Sequence, residues 1–262
     1  MNPEVLCIGH GGLKGHIMLG LLQNLYDRKI LVKVKKYIGT SVGSMICLLL
    51  ACGYTPSQIF IAASSLNFDN LKIDLKSMID DMGILSHSIF SNLIKDMVLK
   101  KFDYIPTLKQ LYYKHDIHFV AVATNINRKK ATYFEYLKFP DLDCIKAIEM
   151  SSSIPGIFKK CEYKDLLYSD GVSSDPLPMS YFNDNKINIL GIAVETIGLY
   201  NNSIFNYISN ILETPLKEIR HIKEKELKSN CKIIEVKFSL SDENDSSKLY
   251  SFGFEEGFKY YK

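Results

Sequence analysis

Apolar and polar positions along the chain switch between two periods, and the switches mark out the elements. Val5 to Ile8 is an apolar run of strand length, and Gly15 to Tyr26 follows with apolar residues at helical spacing. Lys35 to Ile38 predicts a second strand and Ser44 to Ala51 a second helix. Thr55-Pro56-Ser57-Gln58 reads as a helix start: a threonine cap, proline in the first turn and glutamine three residues on. Ser86 to Lys100 places Ile89, Phe90, Leu93, Ile94, Met97 and Val98 on one helical face. Phe119 to Ala123, Leu166 to Tyr168 and Ile187 to Val194 predict further strands. Strands alternating with helices imply an α/β fold, a mostly parallel sheet covered by helices on both faces. No repeat, low-complexity tract or proline-rich linker divides the chain, so residues 1–262 are expected to form one domain.

The stretch from 203 to 228 has a mixed character. Ile204, Phe205, Ile208, Ile211 and Leu212 fall at helical spacing, and Lys217, Arg220, Lys223, Lys225 and Lys228 follow among Glu218, Glu224 and Glu226. An apolar face beside basic side chains suits contact with an anionic membrane surface. A surface helix with a solvated, charged end explains the same pattern and is the favoured reading.

Composition narrows the function classes. Basic residues number 32 against 29 acidic, a net charge of +3, which makes no case for nucleic-acid binding. The six cysteines (Cys7, Cys47, Cys52, Cys144, Cys161, Cys231) include no C-x-x-C pair and sit mostly in apolar surroundings. They read as buried free thiols in a reducing compartment rather than as disulfides or zinc ligands. No basic segment precedes a long apolar run at the N-terminus, so no signal peptide is expected and a cytoplasmic location is. The most apolar stretch, Met45 to Cys52, is far shorter than the ~20 residues a membrane span needs, and reads as a buried helix.

Three segments carry chemistry. Gly39-Thr40-Ser41-Val42-Gly43 is a G-x-S-x-G pentapeptide between a strand-like and a helix-like run, the context of a nucleophile elbow. An ordinary strand-to-helix turn with a serine near the cap fits the pentapeptide as well. Gly9-His10-Gly11-Gly12-Leu13-Lys14-Gly15 follows the first strand, and its glycines let backbone amides face an anion beside a helix start. Its spacing fits neither a dinucleotide fingerprint nor a phosphate-binding P-loop. Ser151-Ser152-Ser153-Ile154-Pro155-Gly156 is followed by Tyr168-Ser169-Asp170-Gly171-Val172, where a carboxylate leaves an apolar run through a glycine. That carboxylate can accept a proton from Ser41; an isolated Asp-Gly is otherwise a common turn.

In chain order these blocks resemble the patatin-like phospholipase family. Its pattern is a glycine-rich loop ending in Arg or Lys and Gly, then G-x-S-x-G, then Ala/Ser-x-x-x-Pro, then Asp-Gly-Gly or Asp-Gly-Ala. Pro106 to Tyr136, with Ala123-Thr124-Asn125, and Phe238 to Lys259 are similar to the family's later helix–strand and closing strand–helix units, so the resemblance covers nearly the whole chain. It implies a three-layer α/β/α sandwich and a Ser41–Asp170 dyad. It implies an oxyanion hole from the amides of Gly11, Gly12 and Val42, supported by Gly9, Lys14, Gly15, Gly39, Gly43, Pro155 and Gly171. The substrate implied is a phospholipid or another fatty-acyl ester, met at most peripherally on a membrane, with no metal and no cofactor. Departures are His10 in place of a glycine, where a positive φ would strain the backbone, Lys14 for Arg, and Val172 for the last Gly or Ala, which would narrow the site.

Two alternatives stay open. A Ser-His-Asp hydrolase expects its histidine after the acid, and only His221 follows Asp170. The other is a silent relative that binds lipid or a partner.

Overall fold

The computed structural model describes residues 2–66, 83–184, 186–197, 204–239 and 245–260. Its main sheet is built on β1 (Val5–Ile8), β2 (Lys36–Thr40), β4 (His118–Asn125), β9 (Ile189–Ile197) and β10 (Cys231–Ser239). These five run parallel in the order β10-β9-β1-β2-β4. Three antiparallel strands extend the sheet: β5 (Lys130–Phe134) and β8 (Leu166–Asp170) pair with β4, and β7 (Cys161–Tyr163) pairs with β8. A separate short pair joins β3 (Gly83–Leu85) to β6 (Gly156–Phe158).

Alternation along the strands sends side chains to both faces. Leu6 and Ile8 of β1 enter one hydrophobic core, and Val5 and Cys7 enter the other. The larger core packs under α1 (Gly15–Asp27), α2 (Val42–Ala51), α3 (Pro56–Ser64), α4 (Ser88–Phe102), α5 (Leu108–His115), α6 (Cys144–Ser151) and α8 (Ser246–Glu256). On the other face lies α7 (Ile204–Lys225), tied down by ion pairs of Lys217 with Glu195, Arg220 with Glu235 and Lys223 with Asp175. The layers are therefore helix, mostly parallel sheet, helix. The side chains of Ile204, Phe205, Ile208, Ile211 and Leu212, the expected apolar stripe, lie outside the described residues.

Several boundaries differ from the sequence reading. The second strand runs on to Thr40 and its helix starts at Val42, so Gly43 is helical rather than part of a loop. The closing strand is Cys231–Ser239, mostly ahead of Phe238, because an edge strand carries charged residues (Lys232, Glu235, Lys237) that mask its alternation. The predicted box at Thr55 forms, with Gln58 N–H donating to the threonine hydroxyl and Thr55 N–H to the glutamine oxygen. All six cysteines are free; five are buried and Cys231 is half-buried.

Register on β4 brings the two key segments together. Val122 has Thr40 of β2 on one side and Tyr133 of β5 on the other, while the next residue, Ala123, has Asp170 of β8 and Thr132 of β5. The same edge of β4 thus pairs first with β2 and then with β8. β2 leaves that edge after Thr40, and β8, running the opposite way, ends on it at Asp170.

Candidate active site

Ser41 stands at the break between β2 and α2 with φ 58° and ψ −130°, a region that side-chain-bearing residues rarely adopt. The turn demands glycine on either side for steric reasons. A Cβ on Gly39 would lie 2.4 Å from the Gly43 carbonyl carbon, and one on Gly43 would lie 2.3 Å from the Ile8 carbonyl oxygen. The strained Ser41 backbone is held from several directions. Ser41 N–H donates to Ser151 Oγ at 3.0 Å, and Ser151 Oγ donates onward to the Val122 carbonyl at 2.6 Å. The Ser41 carbonyl accepts from Ser44 N–H at 2.8 Å and Ser44 Oγ at 2.7 Å. The Ser41 hydroxyl makes no cap bond to α2, so it does not serve as an ordinary helix cap.

Asp170 ends β8 and is 1% exposed. Its N–H donates to the Ser153 carbonyl at 2.9 Å, its carbonyl accepts from Thr124 Oγ1 at 2.8 Å, and its Oδ1 accepts from Val172 N–H at 2.8 Å. Burial pushes the carboxyl up to about 6, against the opposing pull of the Ser41 hydroxyl and the Val172 N–H. Oδ2 is buried with no well-formed hydrogen bond among the described residues. Ser41 therefore lies near enough to act on the carboxylate electrostatically, and one oxygen retains its acceptor capacity. Gly171 is needed at the exit, since a Cβ there would meet the Val122 carbonyl oxygen at 2.2 Å.

The glycine-rich loop runs from β1 through a 3₁₀ turn, Gly12–Lys14, into α1. Gly9 N–H donates to the Ile192 carbonyl and His10 N–H to the Pro176 carbonyl, which fixes the loop on the sheet. The loop's positive φ falls on Gly12, at 53°, and not on His10, so the strain expected at His10 does not arise. Burial and the nearby Lys14 and Arg220 charges lower the His10 imidazole to about 4. Gly15 lets α1 close on α2: a Cβ there would lie 2.9 Å from a Val42 methyl. Val42 is the first residue of α2, where N–H groups have no partner within the helix. The Lys14 side chain enters a cleft lined also by Glu195, Glu213 and Arg220, and desolvation lowers its pKa with Glu213 opposing.

A cavity of about 390 Å³ opens beside Ser41. Its walls are almost wholly apolar and include one stripe of α2 (Val42, Met45, Ile46, Leu49), the predicted face of α4 (Ile89, Phe90, Leu93, Ile94, Met97), and Phe158. Gly12, Gly15, His16, Ser41 and Ser152 also line it. Val172 does not line it, so the narrowing expected there is not seen. Pro155 is exposed on the turn into β6 and does not reach the cavity. His221 is exposed on α7, and no histidine is among the partners of Asp170. Among the described residues no group of three His, Cys, Asp or Glu side chains could hold a metal, and no helix is long and apolar enough to cross a membrane.

Sequence reasoning quoted Ser151 and Ser153 within a motif without seeing their work, which is to hold Ser41 N–H and Asp170 N–H respectively. It missed Asp175 altogether. That carboxylate is fully buried, and it accepts from Tyr133 Oη at 2.6 Å and pairs with Lys223 at 2.8 Å. Nothing local in the sequence marks a bond that joins β5, the turn after β8, and α7.

Comparison with known proteins agrees with this architecture. The protein named "Probable lipid hydrolase 463L" of Invertebrate iridescent virus 6 is 35% identical over 195 residues, spanning 71% of this chain and 66% of that protein. An uncharacterised NTE family protein of Mycobacterium tuberculosis is 29% identical over 180 residues, 68% of this chain and 45% of its own length. The chain thus matches less than two thirds of the length of either relative. Among solved structures, VipD from Legionella pneumophila superposes with a TM-score of 0.62 at 15% identity, covering 99% of this chain and 66% of VipD. ExoU of Pseudomonas aeruginosa, in its complex with SpcU, gives 0.52 at 14% identity, over 98% of this chain and 52% of ExoU; both likenesses concern the fold. The sequence pattern of patatin-like phospholipases matches residues 6–183, which contain the glycine loop, the elbow and Asp170, and the chain belongs to that family.

Proposed function

We propose that the chain hydrolyses fatty-acyl esters of the phospholipid or lysophospholipid type through a Ser41–Asp170 dyad. The observation that carries the reading is the register on β4, which ends β2 and β8 on adjacent residues and so brings Ser41 beside a buried carboxylate whose Oδ2 has no well-formed hydrogen bond among the described residues. The ionised Asp170 takes the hydroxyl proton as Ser41 Oγ bonds to the ester carbonyl carbon. The carbonyl oxygen becomes an oxyanion held by the amides of Gly11, Gly12 and Val42, with the N-terminus of α2 adding a favourable dipole. Collapse of the intermediate breaks the ester C–O bond, and Asp170 returns the proton to the departing alcohol. Water, deprotonated by Asp170, then attacks the acyl-enzyme and releases the fatty acid and Ser41.

The cavity accounts for an acyl rather than a small substrate. Its apolar walls follow α2 from Val42 to Leu49, seven steps along the helix or about 10 Å at the helical rise. Tyr54 N–H donates to the Leu49 carbonyl and Tyr54 Oη to the Met97 carbonyl, so Leu49 and Met97 stand together at the end remote from Ser41. An acyl chain whose carbonyl sits at Ser41 therefore runs toward that pair. The exposed position of His221 speaks against a triad. The test is a panel of phospholipids, lysophospholipids, galactolipids and triacylglycerols, run in EDTA with the products identified by mass spectrometry. Release of free fatty acid from a phospholipid or lysophospholipid supports the reading, and no release from either class by the folded protein refutes it.

A further inference from the structure

Asp175 is a buried charge that the reaction does not use, and it stands where the flanks of both reacting residues meet. Its carbonyl accepts from Thr40 Oγ1 at 2.8 Å, immediately before Ser41. Its N–H donates to the Gly171 carbonyl at 2.8 Å, immediately after Asp170. Ser174, its neighbour, meets Thr124 Oγ1 at 2.8 Å, the same hydroxyl that donates to the Asp170 carbonyl. One short turn thus grips the end of β2 and the end of β8. The carboxylate that anchors this turn is 0% exposed and has its compensation on a single oxygen. Oδ2 receives Tyr133 Oη at 2.6 Å and Lys223 Nζ at 2.8 Å, while Oδ1 has no partner among the described residues. Lys223 Nζ also donates to the Ser174 carbonyl at 3.1 Å. A buried carboxylate without its cation is strongly disfavoured, so the turn depends on the ammonium group arriving from α7.

We infer that Lys223 and Asp175 form a positioning pair through which α7 sets the geometry of the Ser41–Asp170 site. Asp175 lies within residues 6–183 and Lys223 beyond them, so the pair ties the C-terminal portion of the chain to the segment that the family pattern matches. The pair touches no substrate. It acts by keeping Thr40 and Gly171, and hence the nucleophile and its base, at their mutual distance. The inference rests on the proposed hydrolysis for its kinetic readout but has a second readout that does not.

The test compares wild type with Lys223→Met, Lys223→Arg and the double variant Lys223→Met with Asp175→Asn. Kinetics are measured on a soluble acyl ester below the melting temperature of each protein. Amide hydrogen exchange is followed by mass spectrometry on peptides covering residues 39–44 and 170–176. Lys223→Met is expected to lower kcat about tenfold or more with KM little changed, and to speed exchange in both peptides while those from α4 and α5 stay protected. Lys223→Arg keeps the charge and should restore both readouts. The double variant removes the uncompensated carboxylate and should recover protection and much of kcat relative to Lys223→Met. Unchanged exchange in the two peptides in a folded Lys223→Met protein overturns the inference, as does a rise in KM at constant kcat. If Lys223→Met fails to fold, a double variant that folds yet shows no protection of the two peptides overturns it. If the wild type cleaves no ester, the proposed hydrolysis fails, and the exchange pattern still decides on the positioning pair.

Discussion

Replacing Asp170 with asparagine should stabilise the protein while abolishing turnover, and the size of the gain follows from the site. Burial raises the Asp170 carboxyl from an ordinary 3.8 to about 6. At ~1.4 kcal/mol per pH unit, that gap corresponds to ~3 kcal/mol of folding free energy. The sign is fixed by proton uptake. Between pH 3.8 and about 6 the folded state holds a proton that the unfolded state has lost, so stability falls as pH rises through that window. At neutral pH the wild type therefore carries the full penalty of a buried carboxylate. Asparagine is close in shape, keeps an oxygen for the Val172 N–H, and carries no charge. Asp170→Asn should then raise the melting temperature by roughly 6–12 °C at pH 7.5, at ~2–4 °C per kcal/mol for a chain of this size. At pH 4 the two proteins should melt nearly together. The assay is thermal unfolding followed by circular dichroism at several pH values, with hydrolysis measured in parallel. An Asp170→Asn protein no more stable than wild type at pH 7.5, or a difference that does not change with pH, would refute the argument that burial burdens this carboxylate.

The same ionisation sets the activity profile: kcat/KM should fall about tenfold per pH unit below about 6, and a limb displaced to the ordinary carboxylate range would contradict the burial of the base. Gly43→Ala puts a methyl carbon 2.3 Å from the Ile8 carbonyl oxygen, so little folded, active protein should be recovered; a wild-type yield with wild-type kcat would contradict the tight elbow. His221→Ala should keep most activity, because the side chain is exposed on α7; a loss of several orders of magnitude in a folded protein would favour a triad. Met97→Phe should shift the preference toward shorter acyl chains, read as the ratio of octanoate to palmitate ester turnover, and an unchanged ratio would place the acyl chain elsewhere.

The motifs of the candidate site were legible because each is written in consecutive residues. Gly39 is required by Gly43 within the same pentapeptide, whereas Gly43 and Gly171 are required by the distant Ile8 and Val122 carbonyls, a reason that the sequence shows only through the motifs themselves. The helical face of α4 and the box at Thr55 are likewise written in consecutive residues. Contacts between distant segments were not legible. That β4 shares one edge between β2 and β8 follows from pairings across about 80 and about 50 residues, and the Lys223–Asp175 pair spans about 50. The strain expected at His10 was misplaced because only the backbone path shows that Gly12 carries the positive φ. The charged edge strand β10 hid its own start, since alternation is weakest where one edge faces water.

The central claim is that Ser41 becomes acylated, and trapping that intermediate tests it most directly. A chromogenic fatty-acyl ester is mixed with the protein, the reaction is quenched in acid within the first turnover, and the digest is mapped by tandem mass spectrometry. An acyl group is expected on Ser41 and absent in Ser41→Ala, which should remain folded but no longer hydrolyse the ester. An acyl group on a different residue, or wild-type hydrolysis by folded Ser41→Ala, would contradict it.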